Sequence, residues 1–360
     1  MRDYDETYAI PQDRWRNMAK KTTRARSLAT EAASGLLTEL KPVYRTKLGA
    51  AYCIDSLEAL RALPNDSINL IVTSPPYALH FKKAYGNVSK HDYVDWFLSF
   101  AREMFRVLTP DGSFVLNIGG SYNKGTPTRS LYHFKLLISL VEEVGFHLAQ
   151  ECFWYNPAKM PMPAEWVTVR KIRVKDSVEY VWWLSKTAWP KASNQRVLKE
   201  TFSADMHRLN RRGLKETTRP GGYKINGSWT QIKTKGAIPS NFVQAELFDF
   251  PVKPAENVLI MGNNAANDEY TLKCKSAGLK IHPARYPKTL PEFFIKMLTD
   301  ESDLVLDPFA GSNTTGAVAQ SLKRKWIAFE AVREYLEASK FRFPEISLPR
   351  SLPDRLASKA

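Results

Sequence analysis

The chain has 360 residues, of which 44% are hydrophobic, enough apolar material for a sizeable core. Lys and Arg outnumber Asp and Glu by 52 to 37, and the net charge of +15 favours a polyanionic partner over an acidic protein surface. The sequence has no apolar run of about 18 residues, so membrane insertion and export are not expected. Three cysteines are too few for a disulfide framework and indicate a reducing compartment, the cytoplasm.

The predicted elements begin after a basic N-terminal arm, residues 1–41. Strands are predicted where short apolar runs occur, at Ile68–Thr73, Ser113–Ile118, Gln150–Tyr155, Val178–Leu184, Asp303–Leu306 and Lys325–Phe329. Amphipathic helical periods at Tyr93–Leu108 and Leu131–Val144 lie between them. Apolar strands that alternate with helices predict an α/β fold with a doubly wound, mostly parallel sheet covered on both faces.

The predicted strand Ile68–Thr73 leads directly into the motif Ser74-Pro75-Pro76-Tyr77. Two consecutive prolines remove two amide donors, so the carbonyls here need not continue a ladder and can face a cavity. The Ser74 hydroxyl and the Pro75 carbonyl could accept hydrogens from an amino group on a planar ring. Tyr77 offers a face on which such a ring can stack. The plain alternative is a Pro-Pro turn closed by an aromatic plug.

A basic segment follows in the second half of the chain. From Arg196 to Lys235 there are ten Lys or Arg and three Asp or Glu, a local balance of +7. Such a stretch is unsuited to a core and suits a nucleic-acid surface, where basic groups neutralise phosphates and a few side chains read base edges. The candidate nucleic-acid contacts are Arg211, Arg212, Arg219, Tyr223 and Lys224.

The predicted strand at Asp303–Leu306 continues into Asp307-Pro308-Phe309-Ala310-Gly311-Ser312-Asn313, and a helix is expected from Thr314. Glycine permits a tight turn and close approach to a ligand, and a helix start presents free amides. The pattern is neither GxGxxG nor a phosphate-binding P-loop, because Ala317 follows Gly316. A small adenosine ligand is therefore favoured. Glu330, at the end of the next strand, stands where a ribose diol is bound in such folds.

With these motifs in place, the chain resembles the β-group of DNA amino methyltransferases that use S-adenosylmethionine, and among them the cytosine-N4 members, whose catalytic motif reads SPPY. The serine motif precedes the cofactor loop by more than two hundred residues, which is the permuted order of that group. The resemblance covers roughly residues 42–344. It implies a Rossmann-like methyltransferase fold with catalytic residues in 42–194, a target-recognition region in 195–278, a cofactor-binding part in 279–344 and a tail, 345–360.

The resemblance also implies roles for individual residues. Ser74, Pro75, Pro76 and Tyr77 would hold the amino group of a cytosine flipped out of double-stranded DNA. S-adenosylmethionine would be bound by Asp55, His282, Pro283, Ala284, Arg285, Asp307, Phe309, Gly311, Ser312, Asn313, Thr314 and Glu330, and no metal is implied. Asp55 is equally consistent with a helix N-cap. An acid is implied where this chain has Asn117, whose amide could instead hydrogen-bond the flipped base or the cofactor.

Three functions are consistent with this pattern. The first is a cytosine-N4 methyltransferase paired with a restriction endonuclease and located at the bacterial nucleoid. The second is an adenine-N6 enzyme of the same architecture, although adenine enzymes usually have Asp or Asn where this chain has Ser74. The third is a non-catalytic DNA-binding protein that retains the fold. A carbon-5 enzyme is excluded because none of Cys53, Cys152 and Cys274 follows a proline.

Overall fold

The structure is a computed structural model of the chain. It describes residues 40–78, 88–89, 91–156, 159–199 and 268–346. Between 200 and 267 it describes only residues 207–208, 211–213, 217–218, 222, 224–225, 236–239 and 242–244. Most of the predicted basic arm, much of the predicted target-recognition region and nearly all of the predicted tail therefore lie outside the described residues.

Eleven strands occur in the described residues: β1 Tyr44–Arg45, β2 Gly49–Cys53, β3 Ile68–Thr73, β4 Leu108–Ile118, β5 His147–Tyr155, β6 Val178–Ser185, β7 Thr217–Thr218, β8 Lys224–Ile225, β9 Phe242–Gln244, β10 Leu304–Asp307 and β11 Lys325–Glu330. Nine form one sheet in the order β1-β2-β11-β10-β3-β4-β6-β5-β9, and β7 pairs with β8 alone. Five adjacent strands, from β2 to β4 in that order, run parallel. This confirms the predicted mostly parallel sheet.

The described residues include seven α-helices: α1 Ser56–Ala62, α2 Tyr93–Val107, α3 Tyr132–Glu142, α4 Glu269–Ser276, α5 Thr289–Leu298, α6 Thr314–Ser321 and α7 Arg333–Ser339. All but α4 pack against the two faces of the sheet. Side chains on alternate positions of each strand enter opposite cores. Ile71 packs in the core with α1, α2 and α3, whereas Leu70 and Val72 pack in the core with α5, α6 and α7. The near-continuous apolar character of the central strands follows from burial on both faces.

The predicted elements are confirmed, with small differences at their ends. Strand β3 has the predicted bounds, while β4 starts five residues before the predicted Ser113 because it pairs with β3 from Leu108 onward. The strand predicted from Asp303 begins at Leu304. Two of the three cysteines are buried as small core residues, but Cys53 is exposed at the end of β2. No helix in the described part of the chain is long and apolar enough to cross a membrane.

The two sequence motifs meet at the centre of the sheet. β3 and β10 are paired neighbours, with Leu306 opposite Ile71. From β3 the chain crosses to β4 on one side, and from β10 it crosses to β11 on the other, so the strand order reverses between them. In open α/β sheets ligands bind beyond the carboxyl ends of the strands at such a reversal. The fold therefore places both motifs at one crevice.

Candidate active site

The segment Ser74–Tyr77 leaves the sheet where β3 ends, at the carboxyl edge. Pro75 is buried, whereas Ser74, Pro76 and Tyr77 are half-buried. The Ser74 hydroxyl donates to the Tyr77 hydroxyl across 3.2 Å. The Tyr77 hydroxyl in turn lies 2.9 Å from Glu179 Oε2 and 3.2 Å from Asn117 Oδ1. Because it has a single proton, the shorter and charged acceptor Glu179 is favoured.

Glu179 is a site residue that the sequence interpretation missed. It lies at the start of β6, which runs antiparallel to β4 and therefore begins at the edge where its neighbours end. Lys159 Nζ donates to Glu179 Oε1 across 3.0 Å, so the carboxylate is paired on both oxygens. Only the reversal of β6 could have pointed to it, because Glu179 lies more than one hundred residues from Tyr77.

The Tyr77 phenol is held neutral and in place. Burial first, and then the negative charge of Glu179, raise the pKa of Tyr77 well above its ordinary value. A side chain at Gly119 is not tolerated beside the ring, since a Cβ there would lie 2.5 Å from Tyr77 Cε2. Tyr132 donates a hydrogen bond to the Gly119 carbonyl. The Asn117 amide donates to the carbonyl of Tyr180 across 3.2 Å, which fixes it at the back of the site.

Asp307, at the end of β10, joins the two motifs. Its Oδ1 accepts from the Thr73 hydroxyl at 2.7 Å and from the Phe309 amide at 3.1 Å. Its Oδ2 accepts from the hydroxyls of Thr315 at 2.7 Å and Tyr286 at 3.1 Å. Burial raises the pKa of Asp307, and these four hydrogen bonds oppose that shift. The carboxylate thus ties β3, the loop after β10 and the segment before α5 together.

The loop from Pro308 to Asn313 forms a backbone cradle. Gly311 has φ +52°, and a Cβ there would lie 3.1 Å from the His282 ring. Its amide donates to Glu330 Oε2 across 2.8 Å. Asn313, also at positive φ, caps α6 by accepting from the Gly316 amide at 3.0 Å. Ser312 accepts from Arg342 through its carbonyl and its hydroxyl, at 2.8 and 3.0 Å.

Four of the predicted cofactor residues have buried side chains. Asp307, Ser312, Asn313 and Thr314 have buried side chains that bond to other parts of the protein. They therefore shape the loop around Gly311. Phe309 is half-buried against Phe100 and its neighbours, with ring centroids 5.2 Å apart.

Glu330 ends β11, and Asp55 follows the end of β2, the neighbouring strand. Cys53 pairs with Glu330 across β2 and β11, and the Ile54 amide donates to the Glu330 carbonyl at 3.2 Å. Glu330 accepts from the Val332 amide at 2.9 Å and the Gly311 amide at 2.8 Å, and a carboxylate keeps lone pairs for further donors. Asp55 is an exposed N-cap of α1, and Oδ1 accepts the Leu57 and Glu58 amides.

The segment from His282 to Arg285 only partly joins this site. The His282 ring packs against Gly311 and edge-on against Tyr335, with centroids 4.5 Å apart, and burial lowers the pKa of His282 to about 4. Arg285 instead donates to Thr271 of α4 across 3.0 Å. Pro283 and Ala284 are exposed. The structure therefore places His282, but not the Arg285 guanidinium, against the cradle.

The predicted nucleic-acid contacts are only partly visible. Arg211 and Arg212 are exposed. For Lys224 only the backbone is described, in β8. Arg219 and Tyr223 lie outside the described residues. A metal site is absent from the part of the chain that the structure describes, where no group of three His, Cys, Asp or Glu side chains could hold an ion.

The fold and the site together define a Rossmann-like methyltransferase, in which the Ser74–Tyr77 segment and the Gly311 loop follow neighbouring strands. Residues 68–341 match the model of a family described as DNA methylase. The chain belongs to this family.

Known methyltransferases are similar in sequence and structure to most of this chain. The type II methyltransferase M.PvuII of Proteus hauseri is 49% identical over 306 residues, covering 84% of this chain and 86% of that protein. M.SfiI of Streptomyces fimbriatus is 26% identical, covering 80% and 89%. The solved structure of the PvuII DNA methyltransferase (cytosine-N4-specific) matches with a TM-score of 0.66 and 46% identity, covering 86% of this chain and 91% of that one.

Proposed function

We propose that the protein is a site-specific DNA methyltransferase that transfers a methyl group from S-adenosylmethionine to the N4 amino group of cytosine. It would act as the modification enzyme of a restriction-modification system, paired with an endonuclease of the same specificity at the bacterial nucleoid. The 49% identity to M.PvuII and the match to the cytosine-N4-specific PvuII structure support this reaction. The observation that carries it is the direction of the hydrogen bonds from Ser74 through Tyr77 to Glu179.

That direction makes Ser74 an acceptor. Its proton is directed to Tyr77, and the Tyr77 proton is directed to Glu179. The remaining lone pairs of the Ser74 hydroxyl then face whatever enters the pocket. An exocyclic amino group on a flipped cytosine has two hydrogens to donate, which Ser74 and the Pro75 carbonyl would accept.

The cradle around Gly311 fits a small adenosine cofactor. It offers a loop without a side chain at Gly311 and a Glu330 carboxylate suited to ribose hydroxyls. S-adenosylmethionine, when bound there, supplies an electrophilic methyl group. The protein would then accelerate the reaction by holding the amine close to that methyl group and by stabilising the charge that develops on the amine during transfer. No covalent enzyme intermediate is required.

The same chain of hydrogen bonds can remove the proton that the amine must lose. The amine proton would pass to Ser74 Oγ, the Ser74 proton to the Tyr77 oxygen and the Tyr77 proton to Glu179 Oε2. Glu179 would thus take the part of the acid that the family resemblance implied at Asn117. Lys159 would stabilise Glu179 as a carboxylate before the transfer.

Expression in a methylation-free bacterial host, followed by single-molecule sequencing of the genome, tests the reaction. We expect N4-methylcytosine in one recurrent sequence motif. Methyladenine in a recurrent motif would instead assign the adenine-N6 reaction. A genome without any modified base, from cells that contain the soluble protein, would contradict the proposal.

Two single substitutions test the direction of the hydrogen bonds. Tyr77→Phe keeps the ring but removes the acceptor for the Ser74 proton, so kcat should fall by ~10-fold or more, as expected for ~1–3 kcal/mol of lost hydrogen bonding. Ser74→Ala should lower kcat at least as much. Cofactor affinity, measured by calorimetry, should stay within about twofold in both, because neither side chain bonds to the Gly311 loop. Full turnover in Tyr77→Phe would refute the assigned direction.

A further inference from the structure

Apart from Lys159, a segment that adjoins the candidate site has no role in the proposed function. We name residues 159–175 the rim segment. It belongs to the connection between β5 and β6, which crosses the carboxyl edge of the sheet, and it includes one π-helical turn, Glu165–Val169. Its first residue, Lys159, bonds to Glu179, which bonds to Tyr77. The rim segment therefore adjoins the site where the amino group would be held.

The rim segment exposes an unusual amount of apolar surface. Val174 is 86% exposed and Met160 72%, and more than half of each of three further side chains, Met162, Val169 and Ile172, is exposed. Single exposed apolar side chains are normal, but a group of them in a short ordered segment marks an interaction surface.

Positive charge is interleaved with these apolar side chains. The rim segment contains five basic residues, Lys159, Arg170, Lys171, Arg173 and Lys175, and a single acid, Glu165, for a net charge of +4. Lys171 and Lys175 are exposed. A second copy of this positively charged surface would be repelled, whereas the phosphates of DNA would be attracted.

The base of the rim segment is fixed to the rest of the site. Asp176, just after it, accepts hydrogen bonds from Tyr122 and Arg129 of the loop that follows β4. The Arg173 guanidinium lies over the Tyr122 ring, 5.1 Å from its centroid. These contacts fix the C-terminal end of the rim segment before any partner binds, which reduces the entropy lost on binding.

We infer that the rim segment is a second DNA-contacting surface, in addition to the basic segment 196–235. Its exposed lysines, Lys171 and Lys175, would neutralise phosphates beside the target base. Its exposed apolar side chains would pack against bases and sugars next to the gap that a flipped nucleotide leaves, as apolar side chains do in other proteins that distort the duplex. This inference rests on the proposed function.

The test compares the double variant Lys171→Gln/Val174→Ser with the wild type. Lys171 has φ +59°, which Gln adopts with about the same strain as Lys, so the change removes charge without a new backbone cost. The matched control is Lys47→Gln/Ile138→Ser. Lys47 is exposed in the β1–β2 turn at the opposite edge of the sheet, and Ile138 is 53% exposed on α3.

The readouts are duplex binding by fluorescence anisotropy over a salt series, cofactor binding by calorimetry and molar mass by light scattering. We expect Kd for DNA to rise ~5–20-fold in the rim variant, with the magnitude of the salt slope reduced by about one. The control should bind DNA like the wild type. Cofactor affinity and molar mass should be unchanged in both variants.

Two results would overturn the inference while the proposed function stands. One is a rim variant that binds and methylates DNA like the wild type. The other is a wild-type dimer that the rim substitutions dissociate without effect on DNA affinity, which would make this surface an interface between copies. A wild type that binds no DNA at any salt concentration would overturn both the inference and the proposed function.

Discussion

His133 is a buried histidine with no hydrogen-bond partner among the described residues. It is fully buried, and neither ring nitrogen has a partner there. Its neighbours are aromatic, with the Phe134 and Tyr180 ring centroids 4.1 and 5.1 Å away. Burial, followed by the positive charge of Arg129, lowers the pKa of His133 to about 4. The folded protein therefore holds His133 neutral where the unfolded chain would protonate it.

This predicts a loss of stability in mild acid. The folded pKa is depressed, so the unfolded state binds more protons between pH 6.5 and about 4, and stability falls as pH falls through that window. At pH 5 the cost is ~2 kcal/mol relative to pH 8. His133→Phe removes the titrating group, so its free energy of unfolding in urea should fall less between these pH values.

The exposed His147 provides the matched control for this experiment. His147→Gln should lose as much stability between pH 8 and pH 5 as the wild type. If His133→Phe loses as much as both, His133 is not responsible for the acid sensitivity.

At the residue scale, the sequence pointed to side chains that bond to each other within one motif and missed those that bond to them across strands. Ser74 and Tyr77 are three residues apart, and the proline pair between them indicates their setting. Glu179 and Lys159 form part of the same network only because β6 reverses direction. A lone Glu near the start of an apolar strand is ordinary in a sequence, so nothing local distinguished Glu179.

At the scale of elements, the strand-loop-helix from β10 to α6 depends on one backbone geometry. Gly311 adopts φ +52° and lies against the His282 ring, and both features disfavour a side chain. The sequence predicted this loop well, because a small-residue run between an apolar strand and a helical period has few other structures. The partners of its buried polar groups, such as Tyr44 bonded to Asn313, are distant in sequence and were not predicted.

Gly311→Ala separates backbone strain from the contact with His282. The substitution should destabilise the fold by ~1–2 kcal/mol through the left-handed conformation and weaken cofactor binding ~10-fold by displacing the loop. Gly278→Ala is the control, because Gly278 has φ +62° with nothing within 4 Å of a Cβ. It should lose comparable stability while its calorimetric cofactor affinity stays at the wild-type value. If both variants lost the same cofactor affinity, backbone strain alone would explain the loss, and the contact with His282 would have no part in it.

At the scale of the molecule, permuted motifs converge because the sheet order reverses between β3 and β10. Residues more than two hundred positions apart become neighbours, as Thr73 and Asp307 show by their hydrogen bond. The hydrophobic periodicity and the composition of the sequence predicted a parallel sheet, yet they do not determine which strands pair. That information came from the family resemblance, which also carried the order of the motifs.

Net charge is also unevenly distributed over the molecule. The segment Arg196–Lys235 contributes +7 and the rim segment +4, so two segments hold most of the net +15. Because bound phosphates release counterions, log K for a duplex should fall linearly with log salt concentration, with a slope between about −5 and −10 if ~6–10 phosphates are contacted. Anisotropy with a duplex of arbitrary sequence between 50 and 200 mM salt measures this. A slope near zero would mean that the excess positive charge does not contact DNA phosphates. A steep slope would mean that phosphate contacts supply most of the affinity, independently of sequence. Recognition of the bases would then depend on a small number of side chains.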